Sequence, residues 1–280
     1  KKKKSKLSVT EIKTLIRDPY AVYAKHSLKL RPINPLVQSP DAPVRGIVLH
    51  RIMEDFVKLV ARDPARLTRD TLMQVAAEVL EEEAPWPAAR AMWLARIDRI
   101  ADWFIARESQ RAGFSSPVAF EQGARGSYTF ADLGFTLSGF ADRIDQTDDG
   151  DVLIYDYKTG TPPGKKEQRL FDKQLLIEAA MVERGGFPEV GVAHVAHAAF
   201  IGLGSKPVKY PRRLKRRTLR KCWLAFTRCS HVTLMRGKAS RRGAWCRPMP
   251  LPETLTNSPV SANGTAPAPP NRRIWNDARF

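Results

Sequence analysis

Three cysteines in 280 residues are too few for a disulfide framework, and they point to a reducing, cytoplasmic setting. Long apolar runs are missing as well: no stretch of 18 or more apolar residues occurs, so nothing reads as a membrane span. The leading Lys1-Lys-Lys-Lys-Ser-Lys6 has no apolar core of a secretory signal. The chain also lacks an initiator Met, which reads as a piece of a longer protein. A Gly-rich phosphate-cradling loop ending in Gly-Lys-Ser/Thr is absent too, so this stretch contains no ATP-driven motor. With 43% hydrophobic and 27% charged residues, the remaining class is a soluble globular chain.

Acidic residues are scarce in one place only. The whole chain carries 47 Lys plus Arg against 29 Asp plus Glu, a net charge of +18. Residues 1–205 are nearly balanced, with 29 basic and 27 acidic side chains. Residues 206–280 hold 18 basic and two acidic ones, Glu253 and Asp277, together with all three Cys and nine of the 21 Pro. So sharp a break divides the chain into a basic lead-in (1–6), a core domain (7–204) and a basic, Pro-rich tail (205–280).

Within the core domain, Ser8 followed by Glu11 is a capping-box pattern, and it predicts a helix running to the stop at Asp18-Pro19. Lys29–Val44 reads as a Pro-rich loop. Apolar residues at helical spacing predict helices over 46–60, 72–83 and 88–110. From Val118 the period falls to two. Strands are predicted over 118–121, 127–130, 135–145 and 151–158, then a helix over 168–183 and a last buried strand over 190–203. Helices first and then a mainly antiparallel sheet indicate an α/β (α+β) architecture: a mixed central sheet flanked by helices, with an N-terminal helical part.

The segment that carries chemistry is Gly139-Phe-Ala-Asp142-Arg-Ile-Asp145, followed by Asp156-Tyr-Lys158-Thr-Gly160. On a strand, Asp156 and Lys158 point to the same side. Asp142 lies on the preceding strand across a short turn, which can bring its carboxylate beside Asp156. Two carboxylates converging at the end of an apolar strand are costly unless a divalent cation neutralises them, and oxygen ligands suit Mg²⁺ or Mn²⁺. A protonated Lys beside them cannot ligate a metal. It can orient an attacking water or offset charge on a phosphoryl oxygen.

These segments resemble the second and third motifs of the PD-(D/E)xK nuclease superfamily, in its RecB-like branch. Gly46-Ile-Val-Leu-His50-Arg-Ile-Met-Glu54 is similar to the upstream helix of that branch, and Gln174-Leu175 to its following helix. The resemblance covers residues 7–204 and implies a restriction-endonuclease-like core. It implies His50, Asp142 and Asp156 as metal ligands together with the backbone carbonyl of Tyr157. Lys158 becomes the catalytic lysine, and Gln174 a residue that contacts DNA or orients Lys158. Glu54, one turn after His50, would support the site from behind or lie on the surface, and Glu121 matches a Glu often found ahead of these strands. His194 and His197 have no motif around them and read as ordinary.

Ser8-Val-Thr-Glu-Ile, Asp18-Pro-Tyr20 and Leu30-Arg-Pro-Ile-Asn-Pro35 further resemble the C-terminal nuclease domain of AddB-type subunits. The implied partners are single-stranded DNA ends delivered by a helicase and an AddA-type helicase–nuclease subunit, and no membrane. Many relatives bind a 4Fe–4S cluster through a Cys at the position of Asp18 and three later Cys. Asp18 cannot supply a thiolate, and Cys222, Cys229 and Cys246 lack the tight spacing, so no iron–sulfur cluster is expected. Rival readings are a stand-alone RecB-like exonuclease and a catalytically inactive DNA-binding or subunit-docking module. For the tail, three readings stand: a disordered basic extension, a phosphate-contacting patch at 212–221, or a shifted reading frame. The last is favoured, because one codon choice for 255–265 spells, one frame over, a peptide like the usual end of AddB chains.

Overall fold

The computed structural model describes residues 5–33, 35–120, 124–131, 134–204, 208–213, 219 and 223–224. All of them lie in one compact unit, 1–249. Two sheets organise it. Five strands, β2 (Ser115–Phe120), β5 (Arg143–Thr147), β6 (Val152–Lys158), β7 (Val195–Gly202) and β8 (Val208–Arg213), lie side by side in that order. Only the β6–β7 pair is parallel. A smaller sheet takes β1 (Ser5–Ser8), β4 (Phe135–Phe140) and β3 (Arg125–Phe130), with β4 in the middle.

Helices cover both faces of the larger sheet. On one side α3 (Ala42–Arg62), α4 (Arg69–Glu83) and α5 (Pro87–Ala112) build a core of Leu49, Ile52, Phe56, Trp93, Ile97 and Phe104. That core meets the odd-numbered residues of β6, Leu153, Tyr155 and Tyr157. On the other side α1 (Val9–Arg17) and α7 (Gln174–Val182) pack with Leu137, Ile144, Val152, Ile154 and Phe200. Helix α2 (Pro19–His26) leans on α1, and α6 (Lys165–Leu170) precedes α7.

Local chemistry explains the helix starts. The capping box at Ser8 is complete: Ser8 Oγ accepts from Glu11 N–H at 3.2 Å, and Glu11 Oε2 accepts from Ser8 N–H at 2.9 Å. Asp18 ends α1 and caps α2 in the same stroke, accepting from Ala21 N–H at 3.2 Å. Pro19 therefore stands at the first helical position, where its missing N–H costs nothing, and the stop expected there is also a start. Asp41 caps α3, which begins four residues ahead of Gly46.

Two departures from the sequence pattern shape the site. The strand expected over 135–145 is two strands in different sheets, β4 and β5, separated at Ala141-Asp142. Gly139 lets β4 approach α1 closely: a Cβ there would stand 2.9 Å from Val9 Cγ2. The helix expected over 168–183 is likewise broken between α6 and α7, and Gln174 opens the second piece. The sheet also continues past the composition break near Gly204, because Val208–Arg213 form β8. Leu219 and Trp223 are buried in the core beyond it.

Candidate active site

The larger sheet delivers its charges at the end of β6. Alternation sends Ile154, Asp156 and Lys158 to the α7 face while Tyr155 and Tyr157 face α3 and α5. Asp156 is 2% exposed. Its Oδ2 lies 2.6 Å from Lys158 Nζ, and its Oδ1 accepts from Gln174 Nε2 at 2.6 Å. The break that starts α7 at Gln174 is what aims this amide at the strand. Lys158 also lies over the Phe200 ring of β7, 5.6 Å from its centroid.

Asp142 occupies the switch between the two sheets. The last β5 residue paired with β6 is Arg143, opposite Tyr155, which leaves the Tyr157 N–H on that edge without a strand partner. Asp142 Oδ2 accepts from it at 2.6 Å, satisfying a backbone donor that would otherwise be orphaned. The Tyr157 carbonyl leaves the strand on the same edge as its N–H. His50 on α3 completes this half: Nδ1 lies 3.5 Å from Asp142 Oδ2, and its ring meets Tyr157 edge-on at 6.2 Å. His50 with Asp142, and Asp156 with Lys158 and Gln174, are thus two clusters joined through the β6 backbone.

Electrostatics follow from this crowding. Burial, and then the Asp142 charge, push the Asp156 carboxyl up to about 7 against the pull of Lys158. For Lys158, burial favours the neutral amine, but Asp156, then Asp142 and Glu178, outweigh it and raise its pKa. It is therefore an ammonium at neutral pH.

Glu178 was not legible as a site residue. It sits one helical turn after Gln174, is 1% exposed, and neither carboxylate oxygen makes a well-formed hydrogen bond among the described residues. Burial first, then Asp156 and Asp142, push its carboxyl well above the usual range. The available signal is a single acid inside Leu175-Leu-Ile-Glu-Ala-Ala-Met-Val182, a helix otherwise apolar all round. With its pKa raised by burial and by acidic neighbours, this carboxyl favours the protonated form more in the folded, metal-free protein than in the unfolded chain. Its contribution therefore lowers stability as pH rises above the ordinary Glu value. Glu178→Gln should raise the melting temperature in EDTA at pH 8 and change it little at pH 4. An equal shift at both pH values would show that the carboxyl is not the cause.

Other residues singled out in the sequence go elsewhere. Glu54 is buried and reaches Lys58 Nζ at 2.5 Å. His194 pairs with Asp151 at 3.0 Å, and His197 is buried on β7. Asp145 belongs to a buried arginine network: Arg143 clasps both its oxygens at 2.6 and 2.8 Å and reaches Glu108 at 2.7 Å, while Arg111 holds the other Glu108 oxygen. Glu121, Cys222, Cys229 and Cys246, and the 255–265 segment lie outside the described residues.

An imidazole, two carboxylates and a backbone carbonyl suit a hard divalent cation. Among the described residues, no three His, Cys, Asp or Glu side chains form a ready metal cage. The buried Asp156 beside Asp142 gives the charge of such a cation something to offset.

The sequence profile of the PD-(D/E)XK nuclease superfamily matches residues 6–247. The chain belongs to this superfamily. Its α/β fold of mixed sheets between helices is that of PD-(D/E)XK proteins. An uncharacterized protein of Rickettsia bellii is 31% identical over 182 residues, 65% of this chain and 22% of its own length. Uncharacterized proteins of Rickettsia conorii and Rickettsia felis are each 30% identical, over 65% and 72% of this chain. The chain thus spans less than a quarter of the length of the relatives it matches. Among solved structures, that of SSO0001 aligns with 86% of this chain and 90% of its own at 13% identity, with a TM-score of 0.33. Among the described residues of this PD-(D/E)XK chain, no helix is long and apolar enough to cross a membrane.

Proposed function

We propose that the domain is a Mg²⁺-dependent deoxyribonuclease, with Mn²⁺ able to substitute, acting on single-stranded DNA. The observation that carries this reading is the Asp156–Lys158–Gln174 cluster at the end of an apolar strand, beside Asp142 and His50. His50, Asp142, Asp156 and the Tyr157 carbonyl are the groups that would hold the cation. When bound, it supplies Lewis acidity at a phosphate oxygen and lowers the pKa of a water. Lys158 orients the attacking water and offsets charge on the phosphoryl oxygens. Gln174 fixes the rotamer of Asp156. Water oxygen bonds to phosphorus, the bond from phosphorus to one sugar oxygen breaks, and the proton released by the water ends on that leaving oxygen.

The cellular setting we infer is an AddB-type helicase–nuclease subunit working with an AddA-type partner in double-strand break repair and recombination. Two observations support it: the AddB-like Ser8–Glu11, Asp18–Tyr20 and Leu30–Pro35 segments, and relatives more than four times the length of the matched region. Full-length chain should degrade a single-stranded oligonucleotide with Mg²⁺ or Mn²⁺ and lose this on chelation. Folded protein that degrades nothing with either cation would overturn the nuclease reading.

A further inference from the structure

Among the described residues, most buried or half-buried arginines have carboxylate partners. Arg51 pairs with Glu82, Arg90 with Glu81, and Arg111 and Arg143 with Glu108. Three arginines beside the active site do not. Arg96 on α5 donates from Nε to Leu203 O at 3.0 Å and from its other end to Thr159 O. Both acceptors are neutral backbone carbonyls, so its charge is fixed in place without being neutralised. Among the described residues, Arg99, one turn on and exposed, donates only to Ala95 O of its own helix at 3.2 Å. Arg45, in the first turn of α3, has a buried Nε with no hydrogen-bond partner, and no carboxylate pairs with it among the described residues.

The cluster has a definite place. Thr159, whose carbonyl Arg96 holds, directly follows Lys158, and Leu203 N–H donates to Lys158 O at 2.8 Å. Gly46, next to Arg45, faces the same residue: a Cβ there would stand 3.9 Å from Thr159 Oγ1. Beyond Thr159 the surface is open, since a Cβ at Gly160 or Gly164 would meet nothing within 4 Å. The three guanidiniums repel one another; after burial, the charges of Arg45 and Arg99 hold Arg96 below its ordinary pKa. A fold that gathers like charges without counter-charges gives up stability for something else. Guanidinium forks match phosphate oxygens in geometry and charge.

We propose that Arg45, Arg96 and Arg99 form a binding site for a backbone phosphate of the substrate strand, next to the phosphate that Lys158 attends. The proposal rests on the nuclease reading and deepens it: substrate would be positioned by phosphate contacts of α3 and α5 that are indifferent to base identity.

The test uses full-length chain carrying Lys158→Ala, with Mg²⁺ present, so that a fluorescein-labelled oligothymidylate survives. Arg45→Gln with Arg99→Gln removes two charges without breaking a side-chain bond to another element. Arg96 is spared because it holds the backbone. Binding by anisotropy across a salt series should weaken about tenfold, and the slope of log affinity against log salt should shrink by about 0.7, the share of one phosphate contact on a single strand. Relief of repulsion should raise the melting temperature or leave it unchanged. Arg45→Lys should recover part of the slope and less of the affinity. In the Lys158 background of active enzyme, the loss should appear in KM rather than kcat. A slope equal to that of the parent overturns the site, and so does a melting temperature lowered by several degrees. Were the native enzyme to bind with this slope yet hydrolyse no strand with either cation, the nuclease reading would fall and the phosphate site would stand.

Discussion

Lys158→Ala should reduce hydrolysis of single-stranded DNA by about 10³-fold, the loss typical when one preorganised charge is removed from a developing oxyanion. The side chain is 31% exposed and ends a strand, so truncation removes little packing beyond its contact with Phe200. Its electrostatic loss is larger. Asp156 is buried beside Asp142, and Lys158 is the first of the groups that pull its pKa back down. Without the ammonium, the metal-free protein should lose stability as pH rises through 7, where Asp156 must carry charge unaided, and saturating Mg²⁺ should restore it. Asp156→Asn separates the two effects: it keeps an acceptor for Gln174 and removes the charge. It should abolish cleavage equally, yet raise the melting temperature of metal-free protein at pH 8. Circular dichroism and single-turnover cleavage on both variants check this. Native-like cleavage by folded Lys158→Ala would remove the lysine from the chemistry.

How far this site could be seen in the sequence depends on what periodicity reports. A period of two puts Asp156 and Lys158 on one side of a strand, and an apolar run puts them at a buried end; both hold in β6. Periodicity says nothing about which sheet a strand joins. Residues 135–145 read as a single strand, yet they divide between sheets at Asp142, and that division frees Asp142 to reach Tyr157 N–H. Asp145, three residues on, turns instead to the Arg143 guanidinium in the network with Glu108 of α5. Glu178 was hidden because a helix apolar on all sides offers no polar face against which an acid stands out. Charge averages concealed β8 in the same way: the strand sits inside a segment whose bulk composition is that of a tail. The capping box, by contrast, was readable to the atom, because it depends on four consecutive residues and nothing distant.

The largest stability effect is expected away from the chemistry, in the network under the sheet. Glu108, Arg111, Arg143 and Asp145 are all 5% exposed or less, and Arg111 and Arg143 also lie over the Tyr155 ring at 5.2 and 5.6 Å. Removing one member of a buried ionic set strands its partners, at a cost of about 3–5 kcal/mol. Arg143→Met should cost this much, since it leaves Asp145 and half of Glu108 without a cation. Burial alone would raise the Glu108 pKa, but Arg111 and Arg143 overcome it and hold the carboxyl at about 2, below its ordinary 4.5. A folded pKa below the unfolded one gives stability that is full above about pH 4.5 and is lost as pH falls toward 2. At 1.36 kcal/mol per unit, that is about 3 kcal/mol. Glu108→Gln should therefore flatten the acid limb of the stability–pH curve by about this amount. Urea titrations between pH 2 and 7 read it directly, and an acid limb unchanged in Glu108→Gln would assign acid sensitivity to other carboxylates. Arg143 adjoins Asp142 and pairs with Tyr155 in the register that leaves Tyr157 N–H for Asp142. Loosening it should also weaken cation binding, so that Arg143→Met needs more Mg²⁺ for half-maximal cleavage even where it remains folded.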